Sequence, residues 1–429
     1  MSTTTAETPP RAAGQGAGNA ANEAAPAAAE LTALEERYGA HNYHPLDVTI
    51  QRAEGVWVWD VEGRRYMDFL AAYSAVNQGH CHPRIVAALV EQASRVALTS
   101  RAFRNDQLGP FYRDLAELTG FAKALPMNTG AEAVETAIKA ARKWAYTVKG
   151  VADGEAEILV FENNFHGRTT TIVGFSSEEQ YRRGFGPFTP GFTLLPYGDT
   201  AAVEAVLAER GERVAAVLVE PIQGEGGIVV PPDGYLRALR ELTERHRALL
   251  MIDEIQSGLG RTGKMFAYEH EAGVRPDVVI LGKALSGGLY PVSAIVADDE
   301  VMGVFTPGDH GSTYGGNPVG AAVARAALAV IVDEGLVERS AELGAYMLDR
   351  LRRIESPHVA EVRGRGLWIG VELRPEAGGA RRFCEALQRD GLLCKETHDH
   401  VIRIAPPLVI TRDEIDWALQ RLEKVLTGP

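Results

Sequence analysis

The chain is poor in cysteine, with only Cys81, Cys384 and Cys394 among its 429 residues. The number is odd and no CxxC spacing occurs, so no disulfide framework is implied, and a reducing, cytoplasmic setting fits such usage. Nowhere does the sequence reach the roughly 18 uninterrupted apolar residues that a membrane-spanning helix needs. Positive charge is in deficit: 44 Lys and Arg against 57 Asp and Glu leave a formal net charge of -13. An acidic surface repels phosphate backbones, which excludes the usual nucleic-acid footprint and points to small-molecule ligands. The first thirty residues contain Arg11 as their only basic side chain and no apolar run, so they form neither a signal peptide nor an Arg-rich transit peptide. With little apolar surface to bury, residues 1–30 are expected to be a disordered tail.

What the sequence does contain is the balance of a soluble globular protein, 45% hydrophobic and 24% charged, long enough for two domains. From about Glu117 onward, helical periods alternate with short apolar runs, Ile158–Phe161, Val214–Val219, Ala248–Ile252, Val278–Leu281 and Val292–Ala297. Continuous Val, Ile and Leu runs mark strands buried on both faces of a parallel sheet. The spacing of Leu236, Leu239 and Leu242 predicts a helix over Tyr235–His246 that covers one face. The expected fold class is therefore α/β, a large domain with a mostly parallel central sheet over 76–316. A smaller α+β domain over 317–429 follows, joined by the N-terminal segment 31–75. In it, helical patterns run to about Asp333 and Ile354, Val359–Leu373 is strand-like, and a last helix lies near Arg412–Leu426.

Polar residues follow the apolar runs: Glu220 after Val219, Asp253 after Ile252, and Lys283 after Leu281-Gly282. Open α/β sheets bind ligands outside the carboxyl ends of their strands, so these three side chains are candidates to converge. A nucleotide reading of Asp253-Glu254 with Gly258-Leu-Gly-Arg-Thr-Gly263-Lys264 fails. Met265 supplies no hydroxyl for magnesium, and the glycine run does not join its own strand to a helix. A different chemistry links Asp253 to Lys283. A lysine at the end of a buried strand loses solvation, its pKa falls, and its neutral amine can form a Schiff base. An aspartate facing a pyridine nitrogen keeps that ring protonated and able to accept an electron pair. Alone, Lys283 reads as a solvated loop lysine and Asp253 as a strand terminator; together they point to an aldehyde-bearing pyridine cofactor. Its phosphate would find a cradle at Asn128-Thr129-Gly130-Ala131, where small residues open a helical run and leave backbone N–H groups accessible. Thr129 also suits an ordinary N-cap. His80-Cys81-His82 suggests a metal, but adjacent residues rarely supply three converging ligands, and no metal is expected.

Four segments, Leu-Gly-Lys283-Ala-Leu-Ser-Gly-Gly, Asp253-Glu-Ile-Gln256, Asn-Phe165-His-Gly-Arg168-Thr and Glu220-Pro-Ile-Gln-Gly-Glu225, precede His310-Gly-Ser312-Thr313-Tyr-Gly-Gly-Asn317-Pro. In this combination the chain resembles the class III aminotransferases from about Tyr38 to its C-terminus. Asn42-Tyr43-His44-Pro45, Ala72-Tyr73-Ser-Ala-Val-Asn-Gln-Gly-His80 and Ile402-Arg403-Ile-Ala-Pro-Pro407 make it most similar to members that act on ornithine. The resemblance implies a fold-type I pyridoxal 5'-phosphate enzyme, a homodimer with active sites at the subunit interface. Gly130 and Ala131 would bind the phosphate with Ser312 and Thr313 of a second subunit, Phe165 and Ile255 would flank the ring, and Gln256 would meet its hydroxyl. Asp253 and Lys283 would be catalytic. It further implies that Arg168 clamps the ornithine carboxylate, that Tyr43 and Tyr73 line the substrate path, and that Arg403 receives 2-oxoglutarate, with Glu225 masking it while ornithine is bound. Glutamate would be the second product. His166 stands where some members carry Trp. Within the family the rival substrates are acetylornithine, 4-aminobutyrate and lysine, beside an aminomutase that keeps its amino group. A non-catalytic cofactor-binding scaffold is the alternative of another class, and the intact chemical positions argue against it.

Overall fold

The computed structural model describes residues 27–428. A seven-stranded sheet forms the centre, in the order Lys123–Met127, Ser293–Ala297, Val278–Leu281, Leu249–Asp253, Val214–Val219, Glu157–Phe161, Phe192–Leu195. Ser293–Ala297 runs antiparallel to both neighbours, while the other pairings are parallel. The α/β class with a mostly parallel central sheet is thus the observed architecture.

Strand alternation explains why these runs are apolar without interruption. Ile158, Val160, Ala216, Leu218, Met251 and Ile280 point to one face, where they pack with Ala137, Ile138, Ala141 and Trp144 of the helix Gly130–Trp144. Leu159, Phe161, Val217, Val219, Leu250, Ile252, Val279 and Leu281 point to the other, where Leu236, Leu239 and Leu242 of the helix Tyr235–Arg245 meet them. Each face needs its own apolar set, so every position is buried in the four central strands, and in Glu157–Phe161 all but the first. The two strands absent from the expectation, Lys123–Met127 and Phe192–Leu195, are the sheet's edges. Both are only partly buried, and Pro126 sits where an edge tolerates a missing donor.

Helices Pro318–Asp333 and Leu336–Arg352 lead to an antiparallel sheet in the order Val359–Arg365, Trp368–Leu373, Val401–Ile404, Lys395–Thr397. The strand-like stretch Val359–Leu373 is therefore a hairpin. Gly366 makes its reversal at φ 56°, and a Cβ there would lie 2.4 Å from the Thr262 carbonyl carbon. A second four-stranded sheet joins Ile50–Glu54, Trp57–Asp60 and Arg65–Asp68 to Leu392–Leu393 from near the C-terminus. Most of the tail expected over 1–30 lies outside the described residues; Ala28–Glu30 open the helix Ala28–Tyr38. Among the described residues no helix is long and apolar enough to cross a membrane.

Two local features bear on the site. Ala71, Ala72, Tyr73 and Ser74 all have positive φ, between 47° and 71°, and form a left-handed turn without glycine. Asp68 holds its entry by accepting the backbone N–H groups of Leu70 and Ala71 at 2.8 and 3.0 Å. The glycine run Gly258–Gly263 lies in the interior. Arg261, fully buried, donates to the carbonyls of Leu367 (2.9 Å) and Pro406 (2.7 Å) and to Asn77 Oδ1 (2.5 Å). His80 and His82 bond different carboxylates, Asp68 at 2.7 Å and Glu334 at 3.0 Å.

Candidate active site

Glu220 follows the strand Val214–Val219, Asp253 closes Leu249–Asp253, and Lys283 stands two residues past Leu281. All three line one cavity of about 190 Å³, together with Gly130, Ala131, Phe165, Ile255 and Gln256. The parallel strands end at one edge, so residues far apart in sequence meet there. The wall opposite is the start of the helix Gly130–Trp144. Thr129 caps it, accepting the Glu132 N–H at 3.2 Å, and the Glu132 carboxylate accepts the Thr129 N–H in return. That box occupies Thr129 while Gly130 and Ala131 face the cavity. Close packing explains the small residues: a Cβ on Gly130 would lie 3.0 Å from Ile255 Cδ1, and one on Gly167 would lie 2.8 Å from the Ala131 Cβ.

Lys283 opens a short 3-10 turn at φ 45°, a left-handed conformation that is strained for lysine. Burial lowers its amine pKa to about 8; Glu225 and Asp253 pull it back up, and Arg403 pushes it further down. Asp253 is nearly buried, and both of its oxygens are engaged. Oδ1 accepts the Ile255 N–H at 3.0 Å, and Oδ2 accepts the His166 Nδ1–H at 2.7 Å. Burial disfavours the His166 imidazolium, yet the hydrogen bond and charge of Asp253 outweigh it and raise the histidine pKa. The other ring nitrogen, Nε2, is buried without a partner among the described residues. Glu220 accepts the backbone N–H groups of Phe165 (3.0 Å) and Gly224 (3.3 Å), and burial pushes its carboxyl up to about 7. The sequence gives little sign of the His166 contact with Asp253. Its only signal is adjacency to Phe165, since the carboxylate it meets lies 87 residues away.

Outside this cavity opens a wider one, about 1280 Å³, lined among others by Tyr43, Tyr73, Arg168, Tyr181 and Glu225. Behind Glu225, which lines this cavity, Arg403 from the strand Val401–Ile404 is 1% exposed and pairs with Glu225 Oε1 at 2.8 Å. It also donates to Gln256 Oε1 (3.1 Å) and the Gly224 carbonyl (3.3 Å), and the Tyr73 ring lies 5.0 Å from its guanidinium carbon. Burial favours the protonated form of Glu225, but Arg403 and Lys283 hold its pKa below the usual carboxylate range. Arg168 is exposed to the cavity and in no ion pair among the described residues; its guanidinium carbon stands 4.3 Å from the Tyr181 ring centre and 5.7 Å from that of Phe165. Tyr43 is exposed. Ser312 and Thr313 line neither cavity: Ser312 Oγ accepts from Asn128 Nδ2 at 2.9 Å, and Thr313 is exposed.

A desolvated lysine amine, a carboxylate held beside it and a helix N-terminus define a site able to bind a phosphorylated carbonyl compound and move protons at an adjacent carbon. The chain matches the family "Aminotransferase class-III" over residues 38–426, and it belongs to that family. It is 58% identical to an ornithine aminotransferase of Bordetella pertussis, over 94% of this chain and 97% of that one. A crystal structure of the ornithine aminotransferase from Toxoplasma gondii ME49 superposes with a TM-score of 0.91 at 46% identity, covering 94% of this chain and 95% of the other. The acetylornithine aminotransferase from Elizabethkingia anophelis is similar as well, with a TM-score of 0.85 at 50% identity, covering 93% and 98%.

Proposed function

We propose that this protein is a pyridoxal 5'-phosphate-dependent ornithine δ-aminotransferase, converting L-ornithine and 2-oxoglutarate into L-glutamate 5-semialdehyde and L-glutamate. The observation that carries the reading is the unequal treatment of two cations around one lysine. Arg168 stands open at the mouth, while Arg403 is buried beneath Glu225 at 2.8 Å. A substrate with one carboxylate and a reactive amine at its far end needs the first cation and is disturbed by the second. A dicarboxylate needs both. Glu225 therefore covers Arg403 while ornithine occupies the site and swings aside for 2-oxoglutarate. Names of the relatives support the same substrate.

The donor set fits the cofactor: a small cavity bounded by an amine of lowered pKa, a paired aspartate, an apolar ring wall of Phe165 and Ile255, and a helix start whose free N–H groups suit a phosphate. Pyridoxal 5'-phosphate, when bound, supplies an aldehyde and a protonated ring that takes up the electron pair left by a departing proton. Lys283 Nζ would hold the cofactor and then carry that proton, a task matched to a pKa near neutrality. Asp253 would face the pyridine nitrogen, with its orientation fixed by His166 and the Ile255 N–H. Gln256 would meet the ring hydroxyl, and Gly130 and Ala131 the phosphate. Arg168 would grip the α-carboxylate as a planar fork, with Tyr43 and Tyr73 guiding the chain of the substrate. Ser312 and Thr313 would complete the phosphate site of a second copy, in a homodimer. Residues 76–316 would form the large domain and 317–429 with 31–75 the small one, a division supported by the seven-stranded sheet lying within 123–297 and by the pairing of Leu392–Leu393 with Arg65–Asp68. The acidic, cysteine-poor composition supports a cytoplasmic setting.

The purified protein should consume ornithine and 2-oxoglutarate together and yield a trappable cyclised semialdehyde. Turnover with N-acetylornithine alone would replace this substrate by the second reading, to which the similarity to an acetylornithine aminotransferase points. Lys283→Ala should lose nearly all turnover and the long-wavelength absorbance of the bound cofactor; full activity would overturn the mechanism.

A further inference from the structure

We infer that Tyr181 is a positioning residue for the substrate carboxylate, acting as the ring against which Arg168 is held. The inference deepens, and rests on, the reading of Arg168 as the carboxylate clamp. Arg168 follows Gly167 in a loop, is exposed, and is in no ion pair among the described residues. A free arginine side chain spreads over many rotamers, and binding a carboxylate in one geometry then costs entropy. Two aromatic rings limit that freedom. Tyr181, on the short helical turn Glu179–Arg182, lies with its ring centre 4.3 Å from the guanidinium carbon, within the range of a cation–π contact. Phe165, at 5.7 Å, meets Tyr181 edge to face, with ring centres 6.1 Å apart and planes at 78°.

The geometry divides the labour between these rings. Phe165 lines the inner cavity, whereas Tyr181 and Arg168 line the outer one. Tyr181 thus braces the cation through its ring, with its hydroxyl also close to the guanidinium, and brings no opposing charge of its own. A carboxylate partner in its place would cancel the charge that the substrate needs. An aromatic ring holds the cation and leaves the charge intact. The ring makes the cation–π contact, so a phenyl group, which keeps the ring and loses only the hydroxyl, should retain most of the bracing.

The test uses the cofactor-loaded enzyme and three probes: ornithine, 1,4-diaminobutane, which keeps the terminal amine and lacks the carboxylate, and glutarate, an unreactive dicarboxylate whose binding calorimetry reads without turnover. Tyr181→Leu should raise the ornithine KM and the glutarate Kd roughly 3- to 10-fold, the range of a cation–π contact plus restored rotamer freedom, with kcat within about twofold. Tyr181→Phe should stay within about twofold of the parent, and the 1,4-diaminobutane KM should not change in either variant. Adding Tyr181→Leu to Arg168→Gln should weaken glutarate no further. If Arg168→Gln weakens glutarate and Tyr181→Leu does not, the inference is overturned and the Arg168 reading stands. If neither variant weakens it, the Arg168 reading falls as well. An equal loss toward 1,4-diaminobutane, or a loss in Tyr181→Phe matching that in Tyr181→Leu, would also overturn the inference.

Discussion

Replacing Glu225 by glutamine is the most informative perturbation of the two-cation arrangement. Arg403 is 1% exposed and Glu225 is its only carboxylate partner among the described residues, at 2.8 Å. Alanine would leave a buried guanidinium unpaired at a cost of roughly 3–5 kcal/mol and confuse binding with stability. Glutamine keeps an oxygen in reach of Arg403 Nη2 and removes only the charge. The guanidinium stays charged, so the bond passes from one between two ions to one between an ion and an amide. That moves it from the upper to the lower end of the roughly 1.5–3 kcal/mol range and weakens the cover by about 1–1.5 kcal/mol. With a tenfold change for every 1.36 kcal/mol, that corresponds to a factor of roughly 5–12. A dicarboxylate competing with Glu225 for Arg403 should benefit by this factor. In Glu225→Gln the KM for 2-oxoglutarate should fall about 5- to 12-fold, and L-glutamate should become a correspondingly better amino donor. Ornithine kcat/KM should decline, because the less firmly paired Arg403 now attracts its carboxylate into the wrong register. Stopped-flow measurement of each half-reaction separates the two effects. Unchanged 2-oxoglutarate saturation alongside a lowered thermal midpoint would show a permanent structural pair and refute the masking mechanism.

Other consequences follow from burial and backbone geometry. Burial brings Lys283 to about 8 from an ordinary lysine value of 10.5, and only the neutral amine attacks an aldehyde. Uptake of pyridoxal 5'-phosphate by the apoprotein should therefore rise with pH through a midpoint near 8, followed by absorbance; a midpoint near 10 would contradict the desolvation. Arg261→Ala removes three hydrogen bonds and opens a cavity beneath the C-terminal sheet, so denaturation curves should show a loss of roughly 3–5 kcal/mol, and a loss below about 1 kcal/mol would deny it a structural role. Ala72, exposed at φ 47°, is strained by about 1–2 kcal/mol, against about 0.5–1 kcal/mol of added glycine entropy. Ala72→Gly should leave the thermal midpoint equal or higher, and a clear fall would refute strain in the turn.

Much of the fold is legible in the sequence because the inner strands are buried on both faces. A run such as Val214–Val219 admits no polar residue and has no other reading at that length. The edge strands Lys123–Met127 and Phe192–Leu195 lack the signal because one side of each meets solvent or a loop. At the site, the cues are chemical. Lys283 and Asp253 each end a buried run, and their pairing suggests one cofactor class. The His166–Asp253 bond and the Arg168–Tyr181 contact join loops through space, and no periodicity encodes a contact between irregular segments. The glycine run Gly258–Gly263 carries no sequence cue to its structural part: Gly263 lets the chain pass close to Ala341, and the Arg261 guanidinium is buried. The turn Ala71–Ser74 carries no glycine to announce its handedness.

The reversed strand Ser293–Ala297 lies between Lys123–Met127, which feeds the helix start, and Val278–Leu281, which feeds Lys283. It acts as a ruler. Two inter-strand steps separate those neighbours, about 9–10 Å, and Ser293 Oγ fastens the upper rim by donating to the Thr129 carbonyl at 2.7 Å. The separation of helix start and amine is thus counted in whole strands, beyond the reach of any change in loop length. Evolution can re-cut the outer mouth for new substrates, yet a ligand longer or shorter between its two anchors would require a sheet with a different number of strands.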